Sequence, residues 1–180
     1  MIYLHLAKGF EEIEAITIAD ILRRGGVSIQ AVSMETNLEV TGGHNITVKA
    51  DLLFEEADYE SCEMMIFPGG MPGTTNLLNH RELMETMVRF AFSGKPVAAI
   101  CAAPMLFGQT GLVAGKRATI FPGMEDELTG ANVSPDRVVI DGNIITSKGP
   151  GTAMEFALAL VGILKGEEIQ EKLKGGLILK

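Results

Sequence analysis

Tryptophan is absent from this chain, cysteine occurs only twice and histidine three times. Two cysteines rule out a disulfide framework, and no Cys/His cluster has metal-ligand spacing. No GxGxxG follows the first strand and no Walker lysine motif occurs, so nucleotide phosphates lack their usual cradle. We expect no metal and no cofactor. No apolar run approaches the roughly 18 residues that a bilayer span requires. The N-terminus lacks a basic-then-apolar leader, which with the scarce cysteine points to a cytoplasmic setting. Positive charge is also in deficit, with 15 Lys and Arg against 23 Asp and Glu and a net charge of −8. Such a surface repels nucleic acid and anionic lipid, leaving a small molecule or a second copy of the chain as the expected partner.

What the chain does contain is apolar residues, 47% of 180, enough to bury a full core as one domain over residues 1–180. Its 21 glycines suit the tight turns of layered α/β architecture. IYLHLA (2–7) reads as a strand, and apolar spacing from about Glu11 to Arg24 predicts a helix ended by Gly25-Gly26. VSIQAVSM (27–34) reads as the next strand, giving a β-α-β crossover and hence a parallel pair. Residues 39–51 alternate around Gly42-Gly43, as in a hairpin at a sheet edge. MMIFPGG (64–70) and PVAAIC (96–101) read as further strands, separated by a polar loop and a helix over Arg81–Ser93. RATIF (117–121), VVIDG (138–142) and IITS (144–147) follow. Gly149-Pro150-Gly151 opens a last long helix, with Thr152 and Glu155 at capping-box spacing. We expect a doubly wound α/β sandwich.

In such sheets ligands gather beyond the carboxyl ends of the strands. Three features fall there: Gly9–Glu14, Pro68-Gly69-Gly70 and Cys101-Ala102-Ala103. A residue between a strand and an immediately following helix turns sharply and needs small neighbours, the logic of a nucleophile elbow. Ala99, Ala102 and Ala103 meet that need. Helix N-terminal amides would favour a thiolate at Cys101, and the Ala102 amide would also serve a developing oxyanion. Free cysteine is equally a packing residue, so AAICAAP alone leaves both readings open. Glu14 shifts the balance. At 100° per residue it lies in the middle of the stripe of Phe10, Thr17, Ile18 and Ile21, whereas Glu12 points away. A carboxyl on an apolar face has a raised pKa and can act as a protonated donor beside sulfur; the alternative is that it reaches past the stripe to water. Gly69-Gly70 either offers a bare amide to the same place or is an ordinary turn, and Gly149-Pro150-Gly151 either walls the pocket or merely caps a helix. His5 reads as a core or interface residue, His80 as a helix cap and Cys62 as inert. His44 lies where it could reach a site mouth.

These residues resemble the ThiJ/PfpI superfamily, in the branch of the Parkinson-disease-associated protein deglycase and its bacterial relatives. The similarity is carried by LAKGFEEIEA (6–15), FPGG (67–70), AAICAAP (98–104), TSKGPGTAMEFALAL (146–160) and the closing LILK. The resemblance implies a flavodoxin-like three-layer sandwich, mostly parallel with helices on both faces and a nucleophile elbow, usually as a homodimer. It implies Cys101 as nucleophile, Glu14 as its protonated partner, and oxyanion amides at Gly70 and Ala102. The protease-like branch has a histidine where this chain has Ala102, and no histidine follows His80, so proteolysis and glutamine amidotransfer are disfavoured. A histidine of the human-type member is replaced by Phe121, and an arginine that crosses the dimer by His44. The implied activity is cofactor-free and cysteine-dependent, of glyoxalase or deglycase type, on α-oxoaldehydes or their protein adducts. The alternative is a redox-sensing stress-response or chaperone-like protein whose Cys101 sulfinate is held by Glu14.

Overall fold

The computed structural model describes residues 1–179; Lys180, the last letter of LILK, lies outside the described residues. The first apolar run forms β1 (Ile2–Leu6), buried at every position, and is followed by α1 (Glu12–Arg24) and β2 (Ile29–Ser33). β3 (Glu39–Thr41) and β4 (Thr47–Lys49) pair antiparallel as a hairpin apart from the main sheet. β5 (Leu52–Leu53), β6 (Met64–Phe67), α2 (Gly73–Asn79), α3 (Arg81–Phe92), β7 (Val97–Ile100) and α4 (Met105–Gln109) come next. β8 (Arg117–Ala118), β9 (Asn132–Val133), β10 (Val138–Asp141), β11 (Ile144–Ser147), α5 (Ala153–Lys165) and α6 (Glu167–Gly176) complete the order.

The main sheet runs β10-β11-β7-β6-β1-β2-β5. Every neighbouring pair is parallel except β10 with β11, which a short turn joins. The five central strands therefore follow the flavodoxin-like order, with the direction of winding reversing beside β1. Strand residues alternate between two cores, as the pleat dictates. Ile2, Leu4, Leu6, Met64, Ile66, Ala98 and Ile100 pack with Ile18, Leu22 and Phe156 of α1 and α5. Tyr3, Met65, Phe67, Val97 and Ala99 pack with Leu77, Leu83, Met87 and Phe107 of α2, α3 and α4. Covering both faces is why these strands read as unbroken apolar runs. No helix among the described residues is long and apolar enough to cross a membrane.

The expected strand over 117–121 stops at Ala118, because the Thr119 amide bonds the Thr146 hydroxyl and the Phe121 amide bonds the Cys101 carbonyl. The capping box expected at Thr152 does not form. The Thr152 hydroxyl instead exchanges bonds with Ser147 and Gly149, and Glu155 pairs with Arg137 at 2.8 Å. The polar loop before α3 contains α2. Beyond α5, α6 adds an unanticipated helix with no fully buried residue.

Candidate active site

β7, β6 and β1 are consecutive in the sheet, so their carboxyl ends bring Cys101, Gly69-Gly70 and Glu14 together at the winding reversal. Cys101 has φ +65°, in the left-handed region that costs a non-glycine residue about 1–2 kcal/mol. Two backbone bonds hold it there: its amide donates to the Ser147 carbonyl at 3.0 Å, and its carbonyl accepts from the Phe121 amide at 2.9 Å. The turn also needs Gly69. A Cβ at that position would lie 2.5 Å from the Cys101 Cβ. Held this way, the Cys101 side chain is half-buried rather than sealed in the core.

Glu14 is fully buried. Its Oε2 accepts the Gly69 amide at 2.7 Å, while Oε1 has no hydrogen-bond partner. Burial pushes the Glu14 carboxyl up to about 7, against the pull of the Gly69 amide and the Cys101 thiol, and the charge of Glu11 adds to the rise. Burial also pushes the Cys101 thiol up to about 12, with the Glu14 charge the next cause, while the amides of Ala102 and Gly70 oppose it. The Glu14 charge makes Cys101 harder to ionise while the neutral thiol eases the ionisation of Glu14, so they form one coupled acid that gives up a first proton far more readily than a second. The support expected from a helix N-terminus is not what opposes that rise. α4 starts four residues past Cys101 and has only five residues, and the backbone amides of Ala102 and Gly70 take its place.

The other candidates divide. Gly149 and Phe121 wall the sulfur: a Cβ on Gly149 would lie 3.3 Å from the Phe121 ring and 3.9 Å from Sγ. Pro150 lines a groove with Ile13, Thr17 and Met154 on the face of α1 and α5. His44 is engaged within its own chain, its Nδ1 2.9 Å from Glu12 Oε2 and 3.6 Å from Glu11 Oε2. His5 is fully buried and bonded to the Ile66 carbonyl and the Tyr59 hydroxyl, and burial drives its pKa down to about 3. His80 caps α3, and burial pushes the Cys62 thiol up to about 11.

Glu12 is the residue that the sequence pattern missed. It does point away from the core, but into the turn of the β3–β4 hairpin, where its carboxylate accepts the amides of His44 at 2.7 Å and Ile46 at 3.4 Å. Gly42 makes room, since a Cβ there would lie 2.4 Å from the Glu12 carboxyl. Glu11, Glu12 and His44 form the one group of three such side chains, among the described residues, with ligating atoms within 4.8 Å of one another. Glu12 already receives two amides and the imidazole, so the trio is an ion-paired clamp rather than a metal centre. The local signal was three carboxylates within four positions, facing a Gly-Gly-His turn.

The DJ-1/PfpI family profile matches residues 1–163. Protein DJ-1 homolog B of Arabidopsis thaliana is 40% identical over 168 residues, covering 93% of this chain and 38% of the plant protein. The chain thus spans well under half of that relative. A deglycase of Pyrococcus abyssi is 32% identical over 161 residues, 88% of this chain and 96% of the archaeal protein. Among solved structures, oxidized Toxoplasma gondii DJ-1 superposes with a TM-score of 0.94 at 33% identity, covering 99% of this chain and 97% of that one.

Proposed function

This chain belongs to the DJ-1/PfpI family, and from that premise we propose that it is a cofactor-free enzyme acting on α-oxoaldehydes such as methylglyoxal, or on their early protein adducts. One observation carries the reading: Glu14 is fully buried with Oε1 unpartnered, and lies close enough to Cys101 that each group alters the other's ionisation. Above a pH of about 7 the pair holds one proton. We place that proton on Oε1, where the carboxylic acid donates to the sulfur and the amides of Ala102 and Gly70 share the thiolate charge. The working form is therefore a Cys101 thiolate beside a Glu14 carboxylic acid.

The thiolate adds to the aldehyde carbon to give a hemithioacetal, and the Gly70 and Ala102 amides receive the alkoxide. Glu14 moves a proton between the two carbons, and hydrolysis of the resulting thioester releases the hydroxy acid and frees the thiolate. We expect lactate from methylglyoxal without glutathione. Equal, slow release by wild type and Cys101→Ser would sink the reading. The deglycase name of the Pyrococcus relative supports this substrate class. The exposed Ile13, Ile16 and Met154 on α1 and α5 favour a homodimer through that face, which sedimentation would test.

A second reading has its own support in the half-buried sulfur and the oxidized Toxoplasma relative. In it two equivalents of peroxide convert the Cys101 thiolate to a sulfinate, with loss of two waters, and Glu14 donates to it. Peptide mass spectrometry should find two added oxygens at Cys101, lost in Glu14→Leu. Equal oxidation at Cys62 would count against it.

A further inference from the structure

The β3–β4 hairpin is bound to the start of α1 through a contact that the chemistry above does not use. His44 Nδ1 sits 2.9 Å from Glu12 and 3.6 Å from Glu11, and the His44 ring is 69% exposed while those carboxylates are 7% and 12% exposed. No lysine or arginine pairs with either carboxylate among the described residues, so His44 is their one cationic partner. The same short segment reaches the active site. The Glu11 amide donates to the Gly69 carbonyl at 2.9 Å, and the Gly69 amide donates to Glu14 at 2.7 Å. Gly43 closes the arrangement, its amide donating to the Phe10 carbonyl at 2.8 Å.

We propose that His44 is a positioning residue for the Cys101–Glu14 pair: its imidazolium pins the Gly42–Ile46 turn onto Glu11 and Glu12 and offsets their charge, so that its proton sets how readily the pair ionises. The charged groups on the elements packed around His44 are Lys8 before α1, Glu11, Glu12 and Glu14 at its start, and Glu39 and Lys49 at the far end of the hairpin. The turn at residues 68–73 carries none. Of these groups, Glu11 and Glu12 lie within ion-pair distance of the ring. Their carboxylates hold His44 above its ordinary pKa, and the Glu11 charge in turn raises Glu14. With His44 charged, the pair loses its first proton more easily. With His44 neutral, three carboxyl groups in one helical turn repel, and the proton is retained to higher pH.

This inference rests on the thiolate–acid pair, yet the two fail separately. Iodoacetamide labelling of Cys101 against pH reads the pair directly in the intact protein, without turnover. His44→Gln should raise the labelling midpoint by about half a pH unit, roughly a threefold slower rate at pH 6.5. His44→Arg should not raise it, and Glu11→Gln should lower it. Mere loosening of the hairpin would move all three variants in one direction. Unchanged midpoints, or Glu11→Gln and His44→Gln moving together, overturn the assignment. A wild-type midpoint above pH 9 instead defeats the pair itself, while the differences among variants stay readable.

Discussion

Replacing Glu14 by glutamine should make folding stability less dependent on pH, and more favourable above neutrality. An unfolded chain ionises this carboxyl near its ordinary value of 4.5, whereas the folded chain holds its proton to about 7. The raised value means that protons favour the folded state. The associated stability is fully present below pH 4.5 and is lost as pH rises through 7. At about 1.36 kcal/mol per pH unit, the wild type should lose roughly 2–3 kcal/mol between pH 5 and pH 8 that Glu14→Gln keeps. The difference is the same whichever atom gives up the first proton, since the coupled pair ionises once in that window. Urea denaturation of both proteins at half-unit steps from pH 4.5 to 8.5 supplies the difference curve, in which every other carboxylate cancels. Parallel curves for the two proteins would mean that folding does not perturb Glu14, and the prediction would fail.

The elbow offers two further tests. Gly69→Ala places a Cβ 2.5 Å from the Cys101 Cβ and 2.9 Å from the Ile100 carbonyl, and should destabilise by about 1–3 kcal/mol, read as a lower denaturation midpoint. Cys101→Gly relieves the left-handed strain that Cys101→Ala retains, and should be the more stable of the two by about 1 kcal/mol after the entropy of glycine is allowed for, measured by thermal melting.

β1, β6 and β7 could be read from the sequence because strands covered on both faces are continuous apolar runs, and Glu14 because one carboxylate breaks an otherwise apolar helical stripe. Periodicity also gave the direction of Glu12 correctly. It could not give the partner, which arrives from a hairpin some thirty residues later. The ionisation of Cys101 is not legible in the sequence for a related reason. A local pattern suggested a helix N-terminus, whereas burial and the adjacent carboxyl decide the thiol and are properties of the assembled layers. α6 is not legible because its apolar positions, such as Ile169 and Leu173, are only partly buried against the α5 side, so its sequence reads as mostly polar.

The proposed chemistry requires that the pair, once singly protonated, keep its proton on Glu14 with the sulfur ionised. The rate of Cys101 alkylation against pH, in wild type and in Glu14→Leu, tests it most directly. We expect a wild-type midpoint below the ordinary thiol value of about 8.5, displaced upward in Glu14→Leu because the acid that donates to the thiolate is gone. A wild-type thiol that reacts only above pH 9, as burial alone would dictate, or one indifferent to Glu14, would contradict it.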